Sequence, residues 1–190
     1  MTSSVPQLVH LNGPPGIGKS TIAEMYASRH PGTLRLDIDY LHRLVGGWQD
    51  RETQTHRLLR PVALAMATSH LRGGHDVLLP QCLATIHEIN EFEEAARRAN
   101  AKFREVVLLD SQQSAIERFE RRTKENDDEW IQHSARVIEL EGGPLFLAGI
   151  YDKLLAVLEE RPSAVVLTNM WGDPEGTYER LVASLNYRMA

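Results

Sequence analysis

Five short apolar runs divide the chain, and segments with helical spacing of apolar residues lie between them. The runs are QLVHLN at 7–12, LRLDI at 34–38, HDVLLP at 75–80, FREVVLLD at 103–110 and AVVLT at 164–168. Short apolar runs with charged residues, glycine or proline at their ends are typical of buried strands. No two of them are joined by a hairpin turn, so the connections are crossovers. We therefore predict one three-layer α/β domain over residues 1–190, a five-stranded parallel sheet with helices on both faces.

The predicted helices follow from the spacing of apolar residues and from their end signals. They cover about 20–29, most of 40–71 with a break at Gly46-Gly47, 87–100, 111–123 with Asp110 or Ser111 as cap, 145–160 and 178–185. The segment 124–143 is highly charged and contains KENDDE, which favours a mobile region.

The composition is that of an ordinary globular protein, 42% hydrophobic and 25% charged. A net charge of −5 argues against general binding to nucleic acid, which requires a basic face. The single cysteine, Cys82, lies in an apolar run, which favours a buried thiol over a nucleophile. The histidines show no metal-ligand spacing, so no zinc site is predicted. We find no signal peptide and no apolar run of membrane-spanning length, and we expect a cytoplasmic protein.

The first apolar run leads directly into the octapeptide GPPGIGKS at residues 13–20. This segment satisfies the P-loop pattern G-x-x-x-x-G-K-[ST], with a predicted strand before it and a helix after it. Glycines let backbone N–H groups converge on phosphates, and the helix adds the positive end of its dipole. Lys19 supplies a cation for the β- and γ-phosphates, Ser20 can bind Mg²⁺, and Thr21 can contact the α-phosphate. The predicted nucleotide-binding residues are Gly13, Pro14, Pro15, Gly16, Ile17, Gly18, Lys19, Ser20 and Thr21.

The early P-loop, the small size and the LRLDID segment at 34–39 resemble the P-loop small-molecule kinases. That group includes shikimate kinase, gluconate kinase, chloramphenicol phosphotransferase and zeta-toxin kinases, and such proteins are often labelled AAA family ATPases. The resemblance implies an adenylate-kinase-like strand order of 2-3-1-4-5. It also implies an acceptor-covering region at about 40–72, a lid at about 118–143, and transfer of phosphate from ATP, with Mg²⁺, to a small-molecule hydroxyl.

Two carboxylates follow the second predicted strand. Residues two apart on a strand point the same way, so Asp37 and Asp39 share one face if both are extended. The kinases that the chain resembles place a carboxylate here to take the proton of the acceptor hydroxyl. This implies Asp39 as the catalytic base and Asp37 as a Mg²⁺ ligand through water. The alternative is that Asp39 caps a helix that begins at Tyr40.

The third strand departs from the pattern of these kinases, which often carry an acidic Walker B residue at its end. This chain has Pro80 and Gln81 there, and Asp76 lies at the other end of the strand. Metal support then depends more on Asp37. Gln81 is a candidate acceptor ligand, since open α/β sheets bind ligands at the carboxyl ends of strands. A structural amide in the turn is the alternative.

Related kinases carry an arginine-bearing lid after the fourth strand, and here IERFERRTKEND provides Arg118, Arg121 and Arg122. Arg118 and Arg122 are one turn apart on a helix and could stabilise charge on the transferred phosphoryl group. We rank Arg122 ahead of Arg118. A solvated helix, with pairs such as Glu117 and Arg121, is the alternative.

The acceptor region offers several side chains with weaker assignments. Arg43 is a candidate acceptor ligand or a partner of Asp39, and Trp48 is a ring platform or a core aromatic. Arg43, Arg51 and Arg57 also keep open a nucleotide or nucleoside kinase, and a zeta-toxin-like kinase of nucleotide sugars is a related alternative. From another class comes a regulatory ATPase without an acceptor. The loop 169–176 (NMWGDPEG) follows the last strand, where similar kinases contact adenine.

Overall fold

The structure of the protein, a computed structural model, describes residues 5–50, 52–169 and 171–186. Its sheet contains five strands: β1 (Gln7–Asn12), β2 (Leu34–Arg35), β3 (Val77–Leu79), β4 (Lys102–Leu109) and β5 (Val165–Thr168). Their order is β2-β3-β1-β4-β5, and all neighbouring strands are parallel. The predicted fold class and strand order are confirmed.

The helices pack on the two faces of this sheet and supply its crossover connections. They are α1 (Lys19–Arg29), α2 (Ile38–His42), α3 (Glu52–Arg72), α4 (Ile86–Arg98), α5 (Gln112–Glu125), α6 (Glu129–Leu140), α7 (Pro144–Glu159) and α8 (Pro174–Asn186). Ser111, one of the two predicted caps, is the N-cap of α5, where its hydroxyl accepts a hydrogen bond from the Ser114 N–H.

Successive residues of β1 enter two different core clusters. Leu8 belongs to the cluster that contains Phe92 of α4, whereas Val9 and Leu11 belong to the cluster that contains Leu181 of α8. Side chains of a strand alternate between the two sides of a sheet, so both sides of β1 are buried. This burial explains why the strand appears in the sequence as a continuous apolar run.

The second strand is shorter than the alternation over 34–39 predicted. It ends at Arg35, and Asp37 then caps α2, accepting a hydrogen bond from the Tyr40 N–H at 3.4 Å. The two carboxylates therefore occupy the N-cap and the first turn of a helix, and they do not extend from one strand. The strand prediction was wrong here because alternate apolar residues also suit a helix start, where an aspartate is a favoured cap. The capping residue is Asp37, two positions before Asp39.

The region predicted as mostly helical over 40–71 has three parts. Helix α2 ends at His42, a 3-10 turn covers Trp48–Asp50, and α3 begins at Glu52. The predicted break at Gly46-Gly47 lies in the connection after α2, where Gly47 has a φ of 72°, a value that favours glycine.

The charged segment 124–143 contains a helix that the sequence reading missed. Asp128 is the N-cap of α6 and accepts hydrogen bonds from the N–H groups of Trp130 (3.1 Å) and Ile131 (3.2 Å). The KENDDE sequence concealed this start, although its last aspartate is a typical cap.

None of the described helices is long and apolar enough to cross a membrane. A cytoplasmic location stays a prediction.

Candidate active site

A cavity of about 1050 Å³ lies at the carboxyl ends of the strands. It is bounded by the P-loop, α2, the loop after β3, α5, α6 and the loop after β5. This volume is at the upper end of the ~300–1,000 Å³ typical of ligand sites, so the cavity can hold a nucleotide and a second small molecule. The predicted catalytic carboxylate, the P-loop lysine and both ranked lid arginines all line it.

The P-loop packs so closely against β4 and α5 that two of its glycines have no room for a side chain. A Cβ on Gly13 would lie 2.5 Å from the Leu108 carbonyl oxygen, and one on Gly16 would lie 2.7 Å from the Phe119 nitrogen. Both glycines also have positive φ, 143° and 82°. The loop is therefore held between the sheet and α5 in a conformation that only glycine adopts readily.

Lys19 lies inside the loop and contacts its backbone. Its Nζ donates hydrogen bonds to the carbonyls of Gly13 (2.8 Å) and Pro14 (3.0 Å). Burial lowers the pKa of Lys19, and the charge of nearby Arg122 lowers it further, while Asp39 opposes the shift. A buried cation of this kind gains most from an anionic ligand, as the β- and γ-phosphates would be. Ser20 is exposed in the first turn of α1.

Two asparagines, both missed by the sequence reading, anchor the loop. Asn12 at the end of β1 bonds both backbone groups of Leu83, with its Oδ1 3.1 Å from the nitrogen and its Nδ2 3.0 Å from the oxygen. Asn169, just after β5, donates through its Nδ2 to the Ile17 carbonyl and accepts at its Oδ1 from the Thr177 hydroxyl (2.7 Å). The sequence contained one signal for both asparagines, which is that each lies at or directly after the carboxyl end of an apolar run that predicts a strand.

Asp37 and Asp39 both line the cavity. Burial raises the pKa of Asp37, and the neighbouring charge of Asp39 raises it further. A desolvated carboxylate with a second carboxylate nearby is stabilised by a hard cation, and the Ser20 hydroxyl adds a further oxygen at the same cavity. These residues fit Mg²⁺ by the chemistry of their oxygen donors.

Gln81 holds Asp39 from the loop after β3. Its Nε2 donates to the Asp39 Oδ1 at 3.1 Å, while its Oε1 is buried without a hydrogen-bond partner among the described residues. Asp76 lies at the other end of β3, as predicted, and accepts a hydrogen bond from the Gln7 N–H (2.8 Å). An amide thus occupies the place of the Walker B carboxylate and contacts the predicted base.

The arginines of α5 have different environments. Arg118 is buried and bonded through its Nη2 to Asp110 and, at 2.7 Å, to the Asn169 carbonyl. The Arg122 Nε is buried and has no hydrogen-bond partner among the described residues. Burial lowers the pKa of Arg122, although the charge of Asp39 opposes the shift. The Arg118 Nε is also buried without a partner among the described residues, so the two arginines differ in that Arg118 is held by Asp110 and Asn169. The ranking of Arg122 ahead of Arg118 stays a prediction.

The remaining residues predicted to bind the acceptor lie in different environments. Arg43 lines the cavity, where its Nη2 lies 2.5 Å from Asp128 rather than beside Asp39. Trp48 does not line the cavity, because its ring is buried against Trp130 and His133 at centroid distances of 5.4 and 4.8 Å. Of the two alternatives for Trp48, the structure favours the core aromatic. Two further arginines were candidates for binding the acceptor. Arg57 is exposed and does not line the cavity, and Arg51 lies outside the described residues.

Cys82 is a half-buried residue that also lines the cavity. Burial raises the pKa of its thiol, while the charge of nearby Lys19 lowers it. The thiol form is therefore favoured. The expected burial of Cys82 is only partial, and its inertness as a nucleophile stays a prediction.

The sheet order, the glycine loop and the shared cavity define a P-loop protein with the architecture of the small-molecule kinases. The family model AAA_33, described as an AAA domain, matches residues 8–139, and the chain belongs to this family. No curated protein has a significantly similar sequence.

Solved structures with the same fold cover nearly the entire chain. A tunicamycin resistance protein from Deinococcus radiodurans is 15% identical, covers 97% of this chain and 98% of its own, and has a TM-score of 0.63. A candidate kinase from Chloroflexus aurantiacus is 14% identical with a TM-score of 0.65, covering 95% and 96%. A gluconokinase from Sinorhizobium meliloti is 17% identical with a TM-score of 0.59, covering 98% of each chain. The resemblance inferred from the sequence is thus confirmed for the family and the fold.

Proposed function

We propose that the protein is a kinase that transfers the γ-phosphoryl group of ATP to a hydroxyl of a small molecule. The observation that supports this most is the arrangement of Lys19, Asp39 and Arg122 around one cavity of sufficient size for two ligands. Phosphoryl transfer needs cations at the phosphates and a carboxylate at the attacking hydroxyl, and these residues supply both.

Each residue has a separate task in the proposed reaction. The Asp39 carboxylate orients the acceptor hydroxyl and takes its proton as the oxygen bonds to the γ-phosphorus. The bond between that phosphorus and the bridging oxygen breaks, and ADP leaves with the electron pair. Lys19 and Arg122 stabilise the negative charge that is shared among the phosphate oxygens. Gln81 keeps the Asp39 carboxylate turned toward the cavity through its hydrogen bond of 3.1 Å.

Ser20 and Asp37 would hold the Mg²⁺ that accompanies ATP, Asp37 through water. The ion, when bound, neutralises charge on the β- and γ-phosphates. Asp37 is suited to this task because it lines the cavity and because burial and the charge of Asp39 raise the pKa of its carboxyl, so that a bound cation would stabilise the charged form.

The base of the nucleotide is assigned to the loop after β5. Trp171 is exposed at the cavity, and the guanidinium of Arg121 lies 4.1 Å from the centre of its ring. The Arg121 guanidinium lies over this ring, as does that of Arg118 at 5.1 Å, and the resulting stack of flat groups suits a purine. Support for this assignment also comes from the position of the loop, next to the P-loop anchor Asn169.

Asp39→Asn tests the proposal. We expect transfer from Mg·ATP to fall by at least about a thousandfold, because the amide accepts no proton, while ATP affinity stays within about twofold. Phosphorylated acceptor is measured by mass spectrometry and nucleotide binding by calorimetry. Asp50→Asn is the matched control, because Asp50 is exposed and does not line the cavity.

Undiminished turnover in Asp39→Asn would remove Asp39 from the mechanism. ADP release that depends on a partner protein and never on an acceptor would instead favour a regulatory ATPase.

A further inference from the structure

We infer that the acceptor is an uncharged or cationic hydroxyl compound with an apolar, ring-like part, and not a sugar acid or a nucleotide. This inference rests on the proposed kinase function and specifies the class of its acceptor. Two independent features of the cavity support it: the pairing of its charged side chains and the apolar face of α6.

The first feature is a shortage of cations for an anionic acceptor. Arg43 is the arginine nearest to α2 in the cavity lining, and its Nη2 is 2.5 Å from the Asp128 carboxylate. The Asp128 carboxylate already neutralises this guanidinium, and its Oδ1 also caps α6. The Arg43 Nε is buried without a hydrogen-bond partner among the described residues, but an acceptor anion bound there would lie beside the Asp128 carboxylate on the same guanidinium, and two anions so close repel each other.

The other arginines near the cavity have assigned partners or lie elsewhere, and Arg121 lies over the Trp171 ring at the proposed nucleotide-base end. Arg118 is bonded to Asp110, and Arg57 is exposed outside the cavity lining. Arg122 is assigned to the transferred phosphoryl group. The same end of the cavity contains Asp37 and Asp39, so the field there disfavours a second anion and tolerates a cation.

The second feature is an apolar stripe on α6, formed by Trp130, Ile131, Val137 and Ile138. These positions recur at helical spacing, line the cavity and are each only half-buried. Ser134 is the polar member of the same face. Apolar surface that the protein leaves partly uncovered gains free energy when the apolar part of a ligand covers it.

Trp130 is held in place before any ligand arrives. Its ring lies 4.7 Å from that of His42 and 5.4 Å from that of Trp48, measured between centroids. Because the ring is already ordered by these contacts, a stacked ligand pays little of the entropy that a mobile side chain would lose. Trp130 is therefore suited to stack against a ring of the acceptor, the role that the sequence suggested as one alternative for Trp48.

The test uses acceptor pairs in which one member carries an anionic group in place of one hydroxyl, or lacks the apolar ring, while the other hydroxyls of the pair are the same. Adenosine is compared with AMP, phenyl β-glucoside with phenyl β-glucuronide, and each glycoside with its unsubstituted sugar. Wild-type protein is incubated with Mg·ATP, and phosphorylated product is quantified by mass spectrometry. We expect kcat/KM for the uncharged ring-bearing member to exceed that of its partners by roughly tenfold or more.

Preference for AMP, for the glucuronide or for a plain sugar would overturn the inference while leaving the kinase proposal intact. Equal rates across each pair would do the same. Failure to phosphorylate any member, with ATP still bound, would overturn the kinase proposal and the inference with it.

A pair of variants then locates the apolar contact. In Trp130→Ala the KM for the acceptor should rise by roughly ten- to a hundredfold, and in Ile138→Ala it should rise by roughly a few-fold. The KM for ATP should be unchanged in both variants. Leu140→Ala is the control on the same helix, since Leu140 is 81% exposed and outside the cavity lining. Equal losses of affinity for both substrates would show a structural effect and overturn the role of the stripe.

Discussion

Asn169 shows how one side chain connects three parts of the site. It bonds the P-loop at the Ile17 carbonyl, α8 at the Thr177 hydroxyl, and α5 through its own carbonyl, which accepts from Arg118. Nothing about an isolated asparagine after a strand reveals these partners, because they come from residues distant in the sequence. The sequence indicated the candidate phosphate-binding residues but not the residue that holds their loop.

We predict that Asn169→Ala weakens both the fold and nucleotide binding. The Ile17 carbonyl and the Thr177 hydroxyl lose a buried partner, which costs about 1–3 kcal/mol of the free energy of unfolding. ATP affinity should fall by roughly tenfold as the loop loses its anchor, measured by calorimetry alongside denaturant unfolding. Asn186→Ala, at an exposed position near the end of α8, serves as the control. Unchanged ATP affinity in a destabilised Asn169→Ala variant would limit Asn169 to a structural role.

Helices and strands could be predicted from the sequence where the apolar residues followed a single period, either that of a helix or that of a strand. All five strands lie at the apolar runs, although the edge strands β2 and β5 are largely exposed and only the three central strands are buried. The strand order followed from the resemblance that the P-loop and the LRLDID segment suggested. The prediction failed at 34–39, where a strand of two residues gives way to a capped helix, and at α6, where six polar residues in succession concealed a cap. In both places the deciding interaction is a hydrogen bond that a backbone N–H donates to an aspartate carboxylate, which the periodicity of apolar residues does not record.

We predict that Asp128→Ala loosens α6. The substitution removes the N-cap and also the pair with Arg43, so the first turn of the helix should open more often. Hydrogen exchange of the α6 amides should accelerate by roughly five- to tenfold, measured by mass spectrometry without nucleotide. Asp127→Ala is the neighbouring control, because Asp127 is exposed and does not line the cavity. Equal exchange in the two variants would show that the cap does not hold α6.

The geometry of the whole cavity depends on contacts between segments that are far apart in the sequence. Arg43 meets Asp128 across 85 positions of sequence, and Asn169 meets Ile17 across 152. The pattern of residues along the chain indicates which positions carry chemical groups and in what order the helices and strands occur. It does not indicate which distant residues meet, because those pairs depend on how the crossover connections of the sheet are arranged. The P-loop and Asp39 could therefore be proposed from sequence, whereas the platform at Trp130 required the structure.

The buried centre of the sheet makes stability depend on pH. His10 on β1 is fully buried, and its Nε2 donates to the Gln81 carbonyl at 3.0 Å, so the ring is neutral with the proton on that nitrogen. Its Nδ1 is 3.9 Å from the Glu105 carboxylate, which is bonded at 2.8 Å to Arg161. Burial lowers the pKa of His10 from 6.5 to about 4, and nearby cations, including Lys19 and Arg161, contribute to the shift.

A lowered histidine pKa means that the unfolded chain binds the proton more readily than the folded protein does. Stability therefore decreases as the pH falls from about 6.5 to about 4, by on the order of 3 kcal/mol, and is insensitive to His10 above that range. We predict that His10→Gln, whose amide can still donate to the Gln81 carbonyl, removes this component. Denaturant unfolding from pH 4 to pH 8 measures it as the difference between wild type and variant, in which the other titrating groups cancel. His87→Gln, at an exposed position, should retain the wild-type profile. Parallel profiles for wild type and His10→Gln would show that the protons responsible for the acid sensitivity bind at groups other than His10.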